Sequence, residues 1–181
     1  MSEPIPELPP PRRPGEYHLA LVCLGNICRS PIAHVVLEAR LADAGLARRV
    51  TVSSSGTGGW HVGDPMDRRA AATLSAAGYD ASRHRARQFE PAWHRELDLV
   101  LAMDEQNLAD LVSTSSTDDE GRVRLFRDFD PREPGGEVPD PYYGGPDGFE
   151  EVLEMVERTA GSLVDRLAIL LDEHARGSRR G

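Results

Sequence analysis

The sequence predicts a three-layer α/β fold, a parallel sheet with helices on both faces, on the strength of three observations. Four short apolar runs, Tyr17 to Val22, Val50 to Ser53, Asp98 to Met103 and Val123 to Phe126, are separated by stretches of helical periodicity. Strands that alternate with helices pair in parallel and are joined by right-handed crossovers. The first and third runs, reading YHLALV and DLVLAM, are nearly continuously apolar, as strands buried on both faces are. Between Val22 and Pro31 the chain passes from strand to helix through one tight loop, and in such sheets ligands bind beyond the C-terminal ends of the strands.

In chain order, residues 1 to 16 hold six of the 14 prolines and several charges, the composition of a disordered or loosely draped arm. The domain proper is expected over residues 17 to 175. After the first strand, Ser30-Pro31 reads as an N-cap followed by proline at the first helical position. The helix from Pro31 to about Ala44 turns Ile32, Val35, Val36 and Leu41 inward and stops at Gly45. Asp64-Pro65 repeats the cap-and-proline signature ahead of a helix with Ala70, Leu74 and Ala77 that ends at Gly78. Asp104 caps a brief helix containing Leu108 and Leu111, and the polar run from Ser113 to Glu120 is a surface loop. From Asp128 to Gly148 five prolines and five glycines occur without periodicity, a long loop of the kind that is either functional or disordered. The last helix, about Gly148 to His174, aligns Phe149, Val152, Val156, Leu163, Leu167 and Leu170, and residues 176 to 181 form a frayed basic tail.

A chain of 181 residues with 39% hydrophobic and 28% charged residues builds one globular domain with a continuous core. No apolar run approaches the roughly 20 residues a membrane span needs, and the proline-rich start lacks the apolar stretch of a secretory signal. A net charge of −9 argues against nucleic-acid binding. The two cysteines, Cys23 and Cys28, rule out a disulfide framework and suit a reducing, cytoplasmic compartment, with signal-independent export left open. As zinc ligands they would leave a tetrahedral site half filled, so no metal and no cofactor are expected.

The chemistry concentrates in Cys23-Leu24-Gly25-Asn26-Ile27-Cys28-Arg29-Ser30-Pro31. A loop entering a helix N-terminus aims several backbone N–H groups at one spot, which the aligned peptide dipoles make attractive to a dianion such as phosphate. A sulfur at that spot is favoured as thiolate, the form that acts as nucleophile. Arg29 can grip two oxygens of a bound oxyanion through its planar fork. Gly25 permits a turn that a Cβ would hinder. Cys23 also has a plain reading as a buried strand-end cysteine, and Arg29 as a surface arginine, although a cation in a first helical turn sits against the dipole unless an anion lies between.

This C-x5-R-S-P loop, spelled CLGNICRSP, resembles the phosphate loop of the low-molecular-weight protein tyrosine phosphatases, bacterial type. Asp140-Pro141-Tyr142-Tyr143 and Ser54-Ser55-Gly56-Thr57 followed by Trp60 also match, and the similarity covers roughly residues 17 to 172. Arginine at all 21 basic positions fits a GC-rich bacterial source. The resemblance implies a four-stranded flavodoxin-like sheet and hydrolysis of phosphotyrosine in proteins and of small aryl phosphates, with phosphate or another oxyanion held in the loop. Cys23 would then be the nucleophile that forms a cysteinyl phosphate, Arg29 the phosphate clamp and Asp140 the general acid and base. Three Asp-Pro pairs compete for that last role, and spacing alone does not choose among Asp64, Asp130 and Asp140; the resemblance selects Asp140. It also implies that Asn26 and Ser30 support the loop and bond the sulfur, that Ser54 joins them through Asn26, that His84 lies nearby, and that Trp60, Tyr142 and Tyr143 line the entrance.

Each supporting residue has a plainer alternative. Ser30 also reads as an N-cap, Ser54 as a strand-end turn, His84 as part of a basic surface turn, and the three aromatics as loop packing. Tyr142 and Tyr143 are also candidates for phosphorylation. His34 and His61 carry no motif. Cys28, five positions after Cys23, reads either as a small packing residue or as the partner of a reversible disulfide that protects Cys23 from overoxidation. An arsenate reductase shares the loop but needs cysteines further downstream, which this chain lacks, and a noncatalytic phosphotyrosine-binding module needs neither nucleophile nor acid. A monomer or weak dimer acting on a phosphotyrosine protein is the expected assembly.

Overall fold

The computed structural model describes residues 5–145 and 147–179, with side chains of the last helix described as far as Glu173. Strands β1 (Tyr17–Cys23), β2 (Val50–Gly56), β3 (Leu99–Ala102) and β4 (Val123–Leu125) form one parallel sheet in the order β2-β1-β3-β4. The order reverses direction at β1. Its register pairs Cys23 with Gly56 on one side and Val22 with Ala102 on the other, so the first strand is central and its C-terminal end opens between two neighbours.

Alternate residues of β1 feed two cores. Leu19, Leu21 and Cys23 face one side, where Ile32, Val36 and Leu37 of α1 (Arg29–Asp43) meet Phe149, Val156, Leu163 and Leu167 of α4 (Asp147–Arg179). Leu74 of α2 (Arg68–Ala76) joins this layer. Ala20 and Val22 face the other side, against Phe89 and Leu111, the latter on α3 (Glu105–Thr114). The two-sided burial explains the unbroken apolar texture of β1 and β3.

Several boundaries differ from expectation for physical reasons. Helix α1 starts at Arg29 with Cys28 in the cap position and no side-chain cap, which makes Pro31 the third helical residue. Ser30 is inside the first turn and is not the N-cap. Asp64 does not cap α2; Asp67 does, accepting from the backbone N–H of Arg69 at 2.8 Å and Ala70 at 3.4 Å. The start is delayed because the 64–67 segment is already engaged: Asp64 O accepts from Ala86 N, Asp67 N donates to Ile27 O, and Met66 is buried. Asp104 caps α3 as expected, accepting from Asn107 N at 2.7 Å. Helix α4 runs through Gly177 to Arg179, past the expected stop at His174 into the stretch expected to fray, and residues 180–181 lie outside the described residues.

The expected loose arm is pinned over its described part. Arg12 N–H donates to Asp98 Oδ1 at 2.7 Å, and its guanidinium donates to Leu97 O, His94 O and Asp119 Oδ1 at 2.9, 3.0 and 2.6 Å. Tyr17 Oη donates to Pro9 O, and Arg122 Nη1 donates to Pro10 O. Prolines cannot donate from the backbone, but their carbonyls accept, and a fixed φ makes ordering the arm less costly.

Candidate active site

The loop after β1 carries out a short excursion and returns as α1. Its left-handed residue is Asn26, at φ +58°, whereas Gly25 has no positive φ and instead lets the His61 ring come within 3.1 Å of where a Cβ would stand. Asparagine tolerates that conformation, and here its amide exploits it. Asn26 N donates to Cys23 Sγ at 3.3 Å, Asn26 Nδ2 donates to Ser30 Oγ at 2.9 Å, and Asn26 Oδ1 accepts from Arg87 N at 3.0 Å. Ser30 Oγ lies 3.0 Å from Cys23 Sγ, with the Ser55 carbonyl 3.4 Å away as a further acceptor. The sulfur is therefore held from two directions.

His84 closes the network from behind. Its Nε2 lies 2.6 Å from Asn26 O. Burial lowers its pKa more than that hydrogen bond and the neighbouring charges oppose or assist, so the ring is neutral near pH 7 and donates from Nε2. Ser54 departs from expectation: its hydroxyl pairs with His34 Nδ1 at 3.2 Å and its carbonyl accepts from Arg87 Nε at 3.1 Å, with no bond to Asn26. The neighbouring Ser55 carbonyl is the one that reaches the loop.

Arg29 is 3% exposed, and Nη1 donates to Asp104 Oδ2 at 2.6 Å and to Val138 O at 3.2 Å while Nη2 faces Asp140 Oδ2 at 3.6 Å. Burial alone would favour losing the proton, but Cys23, Asp104 and Asp140 outweigh it and keep the guanidinium charged. Asp104 thus caps α3 with one oxygen and orients Arg29 with the other. Only the cap is legible in the sequence; the pairing spans 75 residues and leaves no local signal.

Asp130 and Asp140 separate cleanly. Asp130 is fully buried among Arg127, Arg158 and the Arg132 amide, with contacts of 2.8 to 3.0 Å. Asp140 stands at the cavity, accepting from Tyr142 N at 3.0 Å. The cavity measures about 310 Å³ and is lined by Cys23, Leu24, Gly25, Ile27, Cys28 and Arg29 below and by Trp60, His61, Asp140, Tyr142 and Tyr143 around the mouth. Tyr142 and Tyr143 meet edge to face at 4.9 Å, and Arg69 lies 5.3 Å over the Tyr142 ring. His61, set aside in the sequence as an ordinary polar residue, belongs to this wall and pairs with Asp64 at 3.2 Å. Both cysteines are free.

Comparison with known proteins agrees with this geometry. The family model of low molecular weight phosphotyrosine protein phosphatases matches residues 18–172. The chain belongs to that family. A low molecular weight protein-tyrosine-phosphatase of Streptomyces coelicolor is 50% identical over 151 residues, which covers 82% of this chain and 92% of that protein. Low molecular weight protein-tyrosine phosphatase A of Mycobacterium tuberculosis is 43% identical over 150 residues, covering 82% of this chain and 90% of its own length. Among solved structures, a protein tyrosine phosphatase from Entamoeba histolytica with Hepes in its active site superposes with a TM-score of 0.81 at 31% identity, over 84% of this chain and 97% of that one. The matched residues begin within β1 and end within α4, so the family's domain accounts for the sheet, the loop and the cavity and leaves the pinned arm outside it.

Proposed function

We propose that this member of the family hydrolyses phosphotyrosine in proteins, and small aryl phosphates, by two-step transfer at Cys23. The Cys23 thiolate attacks phosphorus in line, a P–S bond forms as the P–O bond to the phenol breaks, and Asp140 delivers a proton to the departing phenolate. Asp140 then takes a proton from water as that water attacks the cysteinyl phosphate, releasing inorganic phosphate and restoring the thiolate. Arg29 and the first-turn amides of α1 balance charge on the equatorial oxygens throughout. Asn26, Ser30 and His84 act through the loop, fixing where the sulfur sits.

The observation that carries this reading is a single one: nucleophile, guanidinium and carboxylate open into the same 310 Å³ cavity, whose mouth is aromatic. A tyrosyl phosphate is long and flat enough to reach Cys23 between Trp60 and the tyrosine pair, whereas phosphoserine is short and gains no ring contact. The reading carries with it a cytoplasmic setting, a monomer or weak dimer, and a phosphotyrosine protein as partner. No helix among the described residues is long and apolar enough to cross a membrane.

Turnover of p-nitrophenyl phosphate and of a phosphotyrosine peptide tests it. Cys23→Ser abolishes turnover of both, and Asp140→Asn slows the peptide by about 10² to 10⁴ through loss of proton donation. Undiminished turnover in Cys23→Ser refutes it.

A further inference from the structure

Six large apolar side chains stand exposed among the described residues, and four of them, Leu24, Trp60, Tyr142 and Tyr143, line the catalytic cavity. An apolar cluster of this kind marks a surface made to be covered. Trp60 is 72% exposed, and its ring lies across the backbone of Gly58, where a Cβ would fall 1.8 Å from Cζ3. The ring is a ridge with a hollow on each side. One is the catalytic cavity; the other measures about 360 Å³, and Leu24 and Trp60 belong to the walls of both.

We propose that this second hollow is a specificity subsite that takes an apolar side chain flanking the phosphotyrosine of a peptide substrate; the proposal rests on the hydrolytic reading above. Its walls include Phe89, Pro91 and Leu111, with Phe89 and Leu111 also packed into the core and so fixed in place. Of the hydroxyls in its lining, Ser113 Oγ is committed to Asp110 O and Thr114 Oγ1 to Leu111 O, while Thr57 Oγ1 is buried without a partner among the described residues. Asp110 is the one charged group in the lining, so the hollow disfavours an acidic side chain. In an extended peptide, side chains two residues apart point the same way about 6.6 Å apart, so a tyrosyl phosphate in one hollow sends the second residue along over the ridge into the other.

The experiment is a scan of phosphotyrosine peptides in which each position within four residues of the phosphotyrosine is Leu, Ala or Asp in turn, with p-nitrophenyl phosphate alongside. At one position, two residues from the phosphotyrosine, Leu raises kcat/KM about fivefold to tenfold over Asp, from partial burial of one aliphatic side chain. Ser113→Trp, at an exposed position on α3 outside the catalytic cavity, fills the hollow and erases the preference while p-nitrophenyl phosphate is turned over as before. Asp110→Asn narrows the gap between Leu and Asp peptides without touching the small ester. A flat scan, or loss of peptide and small ester in parallel in a folded Ser113→Trp protein, overturns the subsite. Failure of the wild-type protein to hydrolyse p-nitrophenyl phosphate would instead overturn the hydrolytic reading itself.

Discussion

Replacing Asp130 with asparagine separates holding a loop in place from performing chemistry. The carboxylate is fully buried and accepts from Arg127 Nε at 3.0 Å, Arg158 Nε and Nη2 at 2.8 and 2.9 Å, and Arg132 N at 2.9 Å. Asparagine keeps the shape but removes the charge, leaving Arg127, itself 4% exposed, beside a neutral amide and with the exposed Glu133 at 2.6 Å as its remaining carboxylate. Breaking a buried pair by removing one partner costs about 3 to 5 kcal/mol. At roughly 2 to 4 °C per kcal/mol for a domain of this size, the melting temperature falls by about 6 to 20 °C at pH 7.

The pH dependence has a definite sign. Burial by itself would push the Asp130 carboxyl up, but the bonds from Arg158, the Arg132 amide and Arg127 outweigh it and hold the group well below the usual carboxylate range. A carboxyl depressed in the folded state contributes stability above its unfolded pKa of about 3.9, and that stability drains away as the pH falls below this value. Melts followed by circular dichroism therefore show the widest gap between wild type and Asp130→Asn near neutrality, closing below about pH 4. Turnover of p-nitrophenyl phosphate at 20 °C keeps the same order of magnitude, because Asp130 faces away from the cavity. A loss of more than a hundredfold in a folded Asp130→Asn protein would move the proton donor from Asp140 to Asp130 and refute the assignment; a change in melting temperature under 2 °C would refute the role given to the arginine cluster.

Two further outcomes follow from other parts of the molecule. Arg12→Ala removes the guanidinium bonds to Leu97 O, His94 O and Asp119 while keeping the backbone bond to Asp98, and lowers stability by about 1 to 2 kcal/mol in urea denaturation, the scale of a few charge-assisted hydrogen bonds at a half-buried site, with turnover unchanged. Burial first, then the charges of Asp67, Cys23 and Asp140, pushes the Cys28 thiol up to about 12, so at pH 7.5 iodoacetamide labels Cys23 and spares Cys28. The same raised thiol makes Cys28 a slow resolving partner, so mass spectrometry after mild peroxide decides its role: a Cys23–Cys28 disulfide makes it protective, and overoxidised Cys23 with no link leaves it a packing residue.

What the sequence disclosed was whatever its local chemistry encodes. The strands were legible because burial on both faces writes an apolar run, and the phosphate loop because cysteine, asparagine and arginine fall within seven consecutive residues. Gly45 and Gly78, at φ +73° and +92°, end their helices as their positions announced. The misses share one cause. Asp64 and Ser30 look like caps in isolation, but their neighbourhood is set by tertiary bonds: Ala86 N to Asp64 O in the first case, the Cys23 sulfur in the second. Asp104 to Arg29, Asp130 to Arg158 and Arg12 to Asp119 join residues far apart in the chain, and no spacing rule reaches them. His61 leaves no signal in the sequence, because a loop histidine has no periodicity to read.

The place of β1 at the centre of the sheet divides what this enzyme can change from what it cannot. The strand carrying Cys23 is paired along both edges, so two ladders fix where its C-terminal end, and with it the sulfur, stands. Trp60, Tyr142 and Tyr143 stand instead on irregular segments beyond the strand ends, tied to them by single backbone bonds such as Thr57 N to Cys23 O and Val138 N to Met103 O. Mutation can therefore redraw the collar, and with it the choice of phosphoprotein, while the reactive floor stays as it is.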